Sequence, residues 1–272
     1  GWNHSERVLG KTLKDAGLRH KVIIASKCGL TWGDDHVTAN DLTKENLFRE
    51  IDGSLERLQT DYIDIWQLHW PDPSTPIEET CEALAEIKKS GKIRYIGLSN
   101  FAQADMEVFD RLVGVDAQQG LYNMFERNAA SYHNIPLKYR TEEEMLPNVR
   151  ARGQAFLPYS PMFQGLLAGR FTRSRTFSQT DIRNENPKLS GELYQKYFDG
   201  YEKLKLLADE IGHPTNEIAV NWLRQKPEVT SIIGGASCVE QVRQNIAALD
   251  WSIDDETMAR IGEILEPYRE MP

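Results

Sequence analysis

Six short apolar runs in this 272-residue chain each end on residues that could do polar chemistry. Lys27 closes "VIIASK" and His69 closes "IDIWQLH". Ser99 and Asn100 close "IRYIGLSN", Gln118 and Gln119 lie in "VDAQQG", Tyr159 and Ser160 close "AFLPYS", and Gly234 and Gly235 close "VTSIIGG". An ammonium and an imidazole can polarise an oxygen that gains negative charge and can move a proton to it. Each residue alone has an ordinary explanation: a satisfied structural histidine, a lysine reaching for water, Ser-Asn turn chemistry, Gly-Gly punctuation. Their recurrence at successive strand ends, and not at strand starts, points to one enzyme-like site. Alternation in "IDIWQLHWPD" sets Ile63, Ile65, Gln67 and His69 on one face and Asp64, Trp66 and Leu68 on the other. The first face turns polar because it emerges into that site.

Other chemistries lack their signatures. The histidines, His4, His20, His36, His69, His133 and His213, show neither HxH nor HExxH spacing, so no metal site is expected. There is no GxSxG elbow, no GxxxxGK[ST] loop and no GxGxxG. A nucleotide, if bound, is not bound in the Rossmann manner. Cys28, Cys81 and Cys238 are widely spaced and odd in number, which reads as reduced thiols in a cytoplasmic protein.

The elements that must position these residues alternate. "SERVLGKTLKDAG" reads as a helix with Val8, Leu9 and Leu13 on one face and Gly17 at its end. "KVIIASKCG" reads as a buried strand. "TKENLFREIDGSLERLQ" is amphipathic through Leu47, Ile51, Leu55 and Leu58, with Thr43 as N-cap. "PIEETCEALAEIKKSGK" and "QADMEVFDRLVG" are helices around the strand "IRYIGLSNF". In "TEEEMLPNVRARG" Pro147 interrupts a helical pattern. Residues 171 to 191 read as a polar loop, followed by helices in "ELYQKYFDGYEKLKLLADEIG" and "TNEIAVNWLRQK". "VTSIIGG" reads as the last strand, before helices "CVEQVRQNIAAL" and "DDETMARIGEIL". Strand–helix alternation implies right-handed βαβ units and a parallel sheet in a single α/β domain spanning 1–272.

Composition sets the class. Hydrophobic residues make up 40% and charged residues 27%, as in a globular protein. A net charge of −9 disfavours nucleic acid and anionic membrane as partners but leaves room for a local basic pocket. No apolar run approaches a membrane span. The opening "GWNHSERVLG" reads as a helix cap and not as a signal or transit sequence.

The motifs "GWNHSERVLGKTL", "IIASKCG", "YIDIWQLHWPD", "GKIRYIGLSNF", "QGLYNMFER", "LPYSPMFQGLLAGRF" and "SIIGGASCVEQVRQNIAAL" resemble, in order and spacing, the aldo-keto reductases. The branch they resemble includes the potassium-channel β subunits and related bacterial reductases. The resemblance implies a (β/α)₈ barrel, a nicotinamide cofactor (NADPH), and hydride transfer to an aldehyde, ketone or sugar carbonyl. It implies a catalytic Asp, Tyr, Lys and His, of which Lys27 and His69 match the last two. A desolvated Lys27 would lower the pKa of the phenol, and His69 would orient the carbonyl. Tyr159 would stack on the nicotinamide, with Ser99, Asn100 and Gln119 on its carboxamide. Ser160, Pro161, Met162, Gln164, Gly165 and Arg170 would line the phosphates, with Arg183 as a clamp. Gly235, Ser237, Gln241, Gln244 and Asn245 match adenosine-side positions, and the helix start near Ser237 would favour the 2′-phosphate, helped by Arg170 or Arg243. Trp32 and Trp70, with Phe163, are placed at the mouth of the substrate pocket.

The family's Asp and Tyr, with its first two strands, would precede Gly1, the Tyr immediately. The expectation is therefore an N-terminally incomplete barrel that is inactive as it stands. Two other readings remain open at this level: an NADP(H)-binding redox sensor or regulatory subunit of reductase ancestry, and a degenerate barrel fragment.

Overall fold

The computed structural model describes residues 2–271. Gly1, the position expected to follow the family's tyrosine, lies outside the described residues. The chain forms two compact units, residues 1–118 and 119–272.

The first unit opens with α1 (His4–Asp15). β1 (Ala25–Cys28) follows, then the small antiparallel ribbon of β2 (Leu30–Trp32) and β3 (Thr38–Asn40). α2 (Lys44–Leu58), β4 (Ile63–Leu68), α3 (Ile77–Lys89), β5 (Ile93–Ser99) and α4 (Gln103–Val113) complete the alternation. β4 pairs in parallel with β1 on one side and β5 on the other, with Lys27 opposite Gln67 and Gln67 opposite Gly97. Thr43 caps α2 as its spacing predicts, its hydroxyl accepting from the Asn46 N–H. Leu47, Ile51 and Leu58 of that helix are buried with Trp66, Leu84, Ile87 and Ile96 in one apolar core.

Both faces of β4 are largely covered, so the simple in-and-out alternation does not hold. Asp64 is buried because it accepts from the Ile24 N–H at 2.9 Å and from Arg19 and Arg94, also at 2.9 Å. Gln67 is buried over Gly97, where a Cβ would come within 2.6 Å of the Gln67 Cγ. α1 also departs from the expected stripe. Val8 and Leu9 are exposed, and the face against α2 is that of Glu6, Gly10 and Leu13. The helices approach so closely that a Cβ on Gly10 would lie 2.5 Å from the Arg57 carbonyl oxygen.

β6 (Ala117–Leu121) carries the boundary between the units. The second unit continues with a hairpin of β7 (Ser131–Tyr132) and β8 (Ile135–Pro136), then a π-helical turn at 141–145 leading into α5 (Leu146–Arg152). Pro147 sits in the first turn of α5, where its missing N–H costs nothing. β9 (Ala155–Tyr159), α6 (Gly191–Ile211), α7 (Thr215–Arg224), α8 (Val239–Ala247) and α9 (Asp255–Leu265) follow. "VTSIIGG" is not a strand. It makes one parallel bridge, Phe156 with Val229, and donates from Thr230 and Ile233 to the carbonyls of Phe156 and Pro158. Phe156 donates back to the Thr230 hydroxyl at 3.2 Å, but Pro158 has no N–H to return, so the ladder does not extend past that bridge. The polar stretch 171–191 contains two short 3₁₀ turns, and Lys188 within it is buried. Phe163 is fully buried in the core of this unit and does not reach a pocket mouth.

Cys28 and Cys81 are buried, and Cys238 is exposed at the N-cap of α8. Among the described residues no helix is long and apolar enough to cross a membrane.

The α1–α2 contact generates a test. Gly10→Ala gains roughly 1 kcal/mol of helix propensity but meets backbone atoms, an overlap that costs about 1–3 kcal/mol. Overlap wins, because backbone cannot swing aside as a flexible side chain can. The expected result is a lower urea midpoint with unchanged slope; an unchanged or higher midpoint contradicts it.

Candidate active site

In the first unit a pocket of about 470 Å³ runs along the whole of β1, between it and the α1 and α2 helices, and reaches His69 just past the end of β4. Lys27, His69 and Trp32 line it together. Trp70 is partly buried and is not part of that lining. Sequence reasoning missed Trp2, whose ring lies 5.3 Å from Trp32 and 4.4 Å from His36. It also missed a polar floor, where Arg57 donates from Nε to Glu6 at 2.6 Å and Glu50 stands nearby in the lining. Nothing in the spacing of Glu6, Glu50 and Arg57 marks them, because they meet only through helix packing.

The pocket changes the protonation of its two basic groups. Burial lowers the Lys27 ammonium to about 8. Burial, reinforced by the charge of Lys27, lowers His69 to about 4, so its imidazole is neutral at physiological pH. The His69 backbone is held on both sides. Its N–H donates to the Cys28 carbonyl at 2.9 Å, and its carbonyl accepts from the Asn100 amide at 3.2 Å. Asn100, in the left-handed region at φ 67°, also donates to the Ser99 hydroxyl at 3.1 Å. The Ser-Asn pair at the end of β5 therefore buttresses the histidine.

The second unit holds a pocket of about 610 Å³. Ser160, Pro161, Met162, Gln164, Gly165, Arg170, Arg183, Gly235, Ser237, Gln241, Gln244 and Asn245 all line it, drawn from segments more than 80 residues apart in the chain. Arg175, Phe171 and Asn216 join them without having been foreseen, and Arg243 stays outside the lining and exposed. The loop after β9 is strained: Ser160, Phe163 and Gln164 all have positive φ, at 57°, 44° and 53°. Buried polar groups hold it there. The Asn123 amide donates to the Ser160 carbonyl at 2.9 Å and to Glu126 at 2.7 Å. Glu126 is in turn bound by Lys188 at 2.8 Å, in an ion pair with both side chains almost fully buried. Gln164 lies 2.8 Å from the His133 ring nitrogen. Arg183 is oriented by Asp181 and packs 4.6 Å from the Phe177 ring.

Around this pocket the residue just before the N-cap of α8 is already engaged. The Ser237 N–H and hydroxyl donate to Gln241 Oε1 at 2.6 and 3.1 Å, leaving the Gln241 amide hydrogens for a ligand. Gln119, buried with its Oε1 unpartnered, and Tyr159, packed edge-on to Tyr132 at 5.1 Å, are not among the residues that line this pocket. A glycine at φ 113° (Gly165) and the arginines of the lining, Arg170, Arg175 and Arg183, suit a ligand with phosphates. Among the described residues no cluster of three or more His, Cys, Asp and Glu side chains could hold a metal ion.

Comparison with known proteins gives this arrangement its class: the chain belongs to the aldo/keto reductase family, whose model matches residues 1–266, and so to a family of oxidoreductases. It is 34% identical over 267 residues to the aldo-keto reductase YhdN of Bacillus subtilis (strain 168), covering 98% of this chain and 77% of that one. It is 32% identical over 281 residues to the NADH-specific methylglyoxal reductase of Escherichia coli (strain K12), covering 98% and 81%. The solved structure of a glycerol dehydrogenase from Gluconobacter oxydans superimposes with a TM-score of 0.88 at 30% identity, over 100% of this chain and 80% of that one. The α/β fold is thus the one the resemblance implies, of the (β/α)₈-barrel class.

The His69 environment predicts a pH effect on stability. Its folded value, about 4, lies below the value of 6.5 expected in the unfolded chain. The unfolded chain therefore takes up the proton first, and stability is lost as pH falls from about 6.5 towards 4. Glu50, raised to about 7, takes up its proton in the folded state over the same window and opposes this, so the reading is a difference: the urea midpoint of His69→Asn should gain on that of the native protein as pH falls from about 6.5 to 4. Superimposable slopes for the two proteins would refute the assignment.

Proposed function

We propose that the protein reduces aldehydes, ketones or sugar carbonyls with NADPH as cofactor. The observation that carries this reading is one pocket holding a neutral His69 beside a desolvated Lys27, at the ends of paired strands. When bound, the nicotinamide supplies a hydride. As hydride reaches a carbonyl carbon, negative charge grows on the oxygen. Neutral His69 donates a ring N–H to that oxygen and fixes its direction. The Lys27 ammonium adds positive potential and, with its pKa lowered to about 8, can give its own proton to the alkoxide. Trp2 and Trp32 give the substrate an apolar wall.

For the cofactor, Tyr159 offers a flat ring and Gln119 a free amide oxygen. The strained loop at Ser160–Gly165 offers backbone donors, and Arg170 and Arg183 offer charge for phosphates. Ser237, Gln241, Gln244 and Asn245 serve the adenosine end. Gln241 hydrogen-bonds without charge, so NADPH is preferred over NADH by only about 1–2 kcal/mol. The relative from Escherichia coli is named as NADH-specific, so this choice is the one the binding measurement below decides.

Two measurements test this. NADPH oxidation followed with methylglyoxal and simple aldehydes should give saturable turnover, and His69→Ala should lower kcat/KM by roughly a hundredfold or more with cofactor affinity nearly unchanged. Tight NADPH binding with no turnover would favour a redox-sensing role instead. Separately, dissociation constants read from tryptophan fluorescence should favour NADPH, and Gln241→Arg should widen that preference by about tenfold. Equal affinities in the native protein, or tighter NADH, would overturn the cofactor choice.

A further inference from the structure

The Cys28–Gly29 peptide is gripped from both edges. Its carbonyl accepts from the His69 N–H at 2.9 Å, and its N–H donates to Glu50 Oε2 at 2.6 Å. A peptide unit is planar and stiff, so a tilt at one edge is passed to the other. Gly29 has no freedom to absorb it, being buried at φ 85° with the Leu42 side chain 2.3 Å from where a Cβ would stand. We propose that the Glu50 carboxylate is a positioning group for His69, acting through this single peptide; the inference rests on the reductase reading of the pocket.

Glu50 is well placed for that role. It projects from α2 and lines the same pocket as Lys27 and His69, and the Asn46 side chain one turn earlier favours its charged form. Arg49 and Asp41 act on it with opposite sign, the Cys28 thiol faces it from β1, and the Glu6–Arg57 pair shares the pocket. Burial raises its pKa to about 7, against the Gly29 and Asn46 hydrogen bonds that lower it. Above that value the bond to Gly29 is charge-assisted; below it the acceptor is neutral and weaker. The grip on the peptide behind His69 therefore loosens as the pH falls through neutrality.

Amide ¹H–¹⁵N shifts read this directly and need no turnover. The Gly29 and His69 amides should titrate together with a midpoint near 7. Glu50→Gln, which keeps the shape and one acceptor oxygen, should abolish that titration, whereas Lys27→Met should retain it. In the NADPH assay Glu50→Gln should lower kcat about tenfold with little change in KM, and should remove the same midpoint from the pH profile of kcat/KM. A His69 amide indifferent to pH around neutrality, or a titration that survives Glu50→Gln, overturns the proposal. If Glu50→Gln does not fold, the native protein and Lys27→Met decide by the same midpoint. Absence of turnover with the amide titration intact would instead sink the reductase reading and leave the coupling standing.

Discussion

Parallel pairing of β1 with β4 is the constraint from which the first unit's chemistry follows. It sets Lys27 opposite Gln67 and brings the Cys28 carbonyl to the His69 N–H. In a parallel ladder the bonds are evenly spaced and slanted, so a slip of one residue would turn every side chain to the other face. The register is secured at several points. Asp64 ties β4 to the Ile24 N–H, Gln67 fits only over Gly97, and Asn100 closes on the His69 carbonyl. Because register and pocket depend on the same backbone, the low values of His69 and Lys27 are properties of the pairing as much as of the side chains.

The second unit solves a different problem, that of keeping a loop in an unfavourable shape. Three non-glycine residues with positive φ within five positions cost several kcal/mol if left unsupported, on the order of 1–3 each. Asn123 is the hub that offsets this. Its oxygen accepts from the N–H groups of Phe125 and Glu126, and its amide donates to Glu126 and Ser160. The Lys188–Glu126 pair then extends the support to the 3₁₀ turns. A buried pair of this kind contributes little net stability, since desolvation cancels most of the attraction. What it secures is one conformation of the segment that carries Arg183.

Much of this was legible in the sequence, and the gaps have physical causes. Strand ends marked Lys27 and His69 as polar groups, and the motifs that resemble the aldo-keto reductases named nearly all the residues that line the second pocket. Those signals are local: a residue's place at the end of a run is visible in the run itself. Trp2, Glu6, Glu50 and Arg57 were not visible, because their meeting depends on the α1–α2 approach that Gly10 permits. Val8 and Leu9 misled for the same reason, since a helix's buried face is chosen by its partner as well as by its own apolar residues. Lys188 lay in a stretch whose polarity read as solvent exposure, whereas its charge is paired inside. "VTSIIGG" carried strand composition, but the proline opposite it, Pro158, withheld the donors a ladder needs.

The disposition of the three thiols has a practical side. Burial raises Cys28 well above the ordinary thiol range and Cys81 to about 12, so neither offers much thiolate. Cys238 alone is open to solvent, and it adjoins Ser237 in the wall of the larger pocket. A maleimide-linked fluorophore would therefore attach at one place without any engineering of the chain. From there its emission would follow how that wall is filled, giving an optical handle on ligand occupancy that is separate from the chemistry at Lys27 and His69.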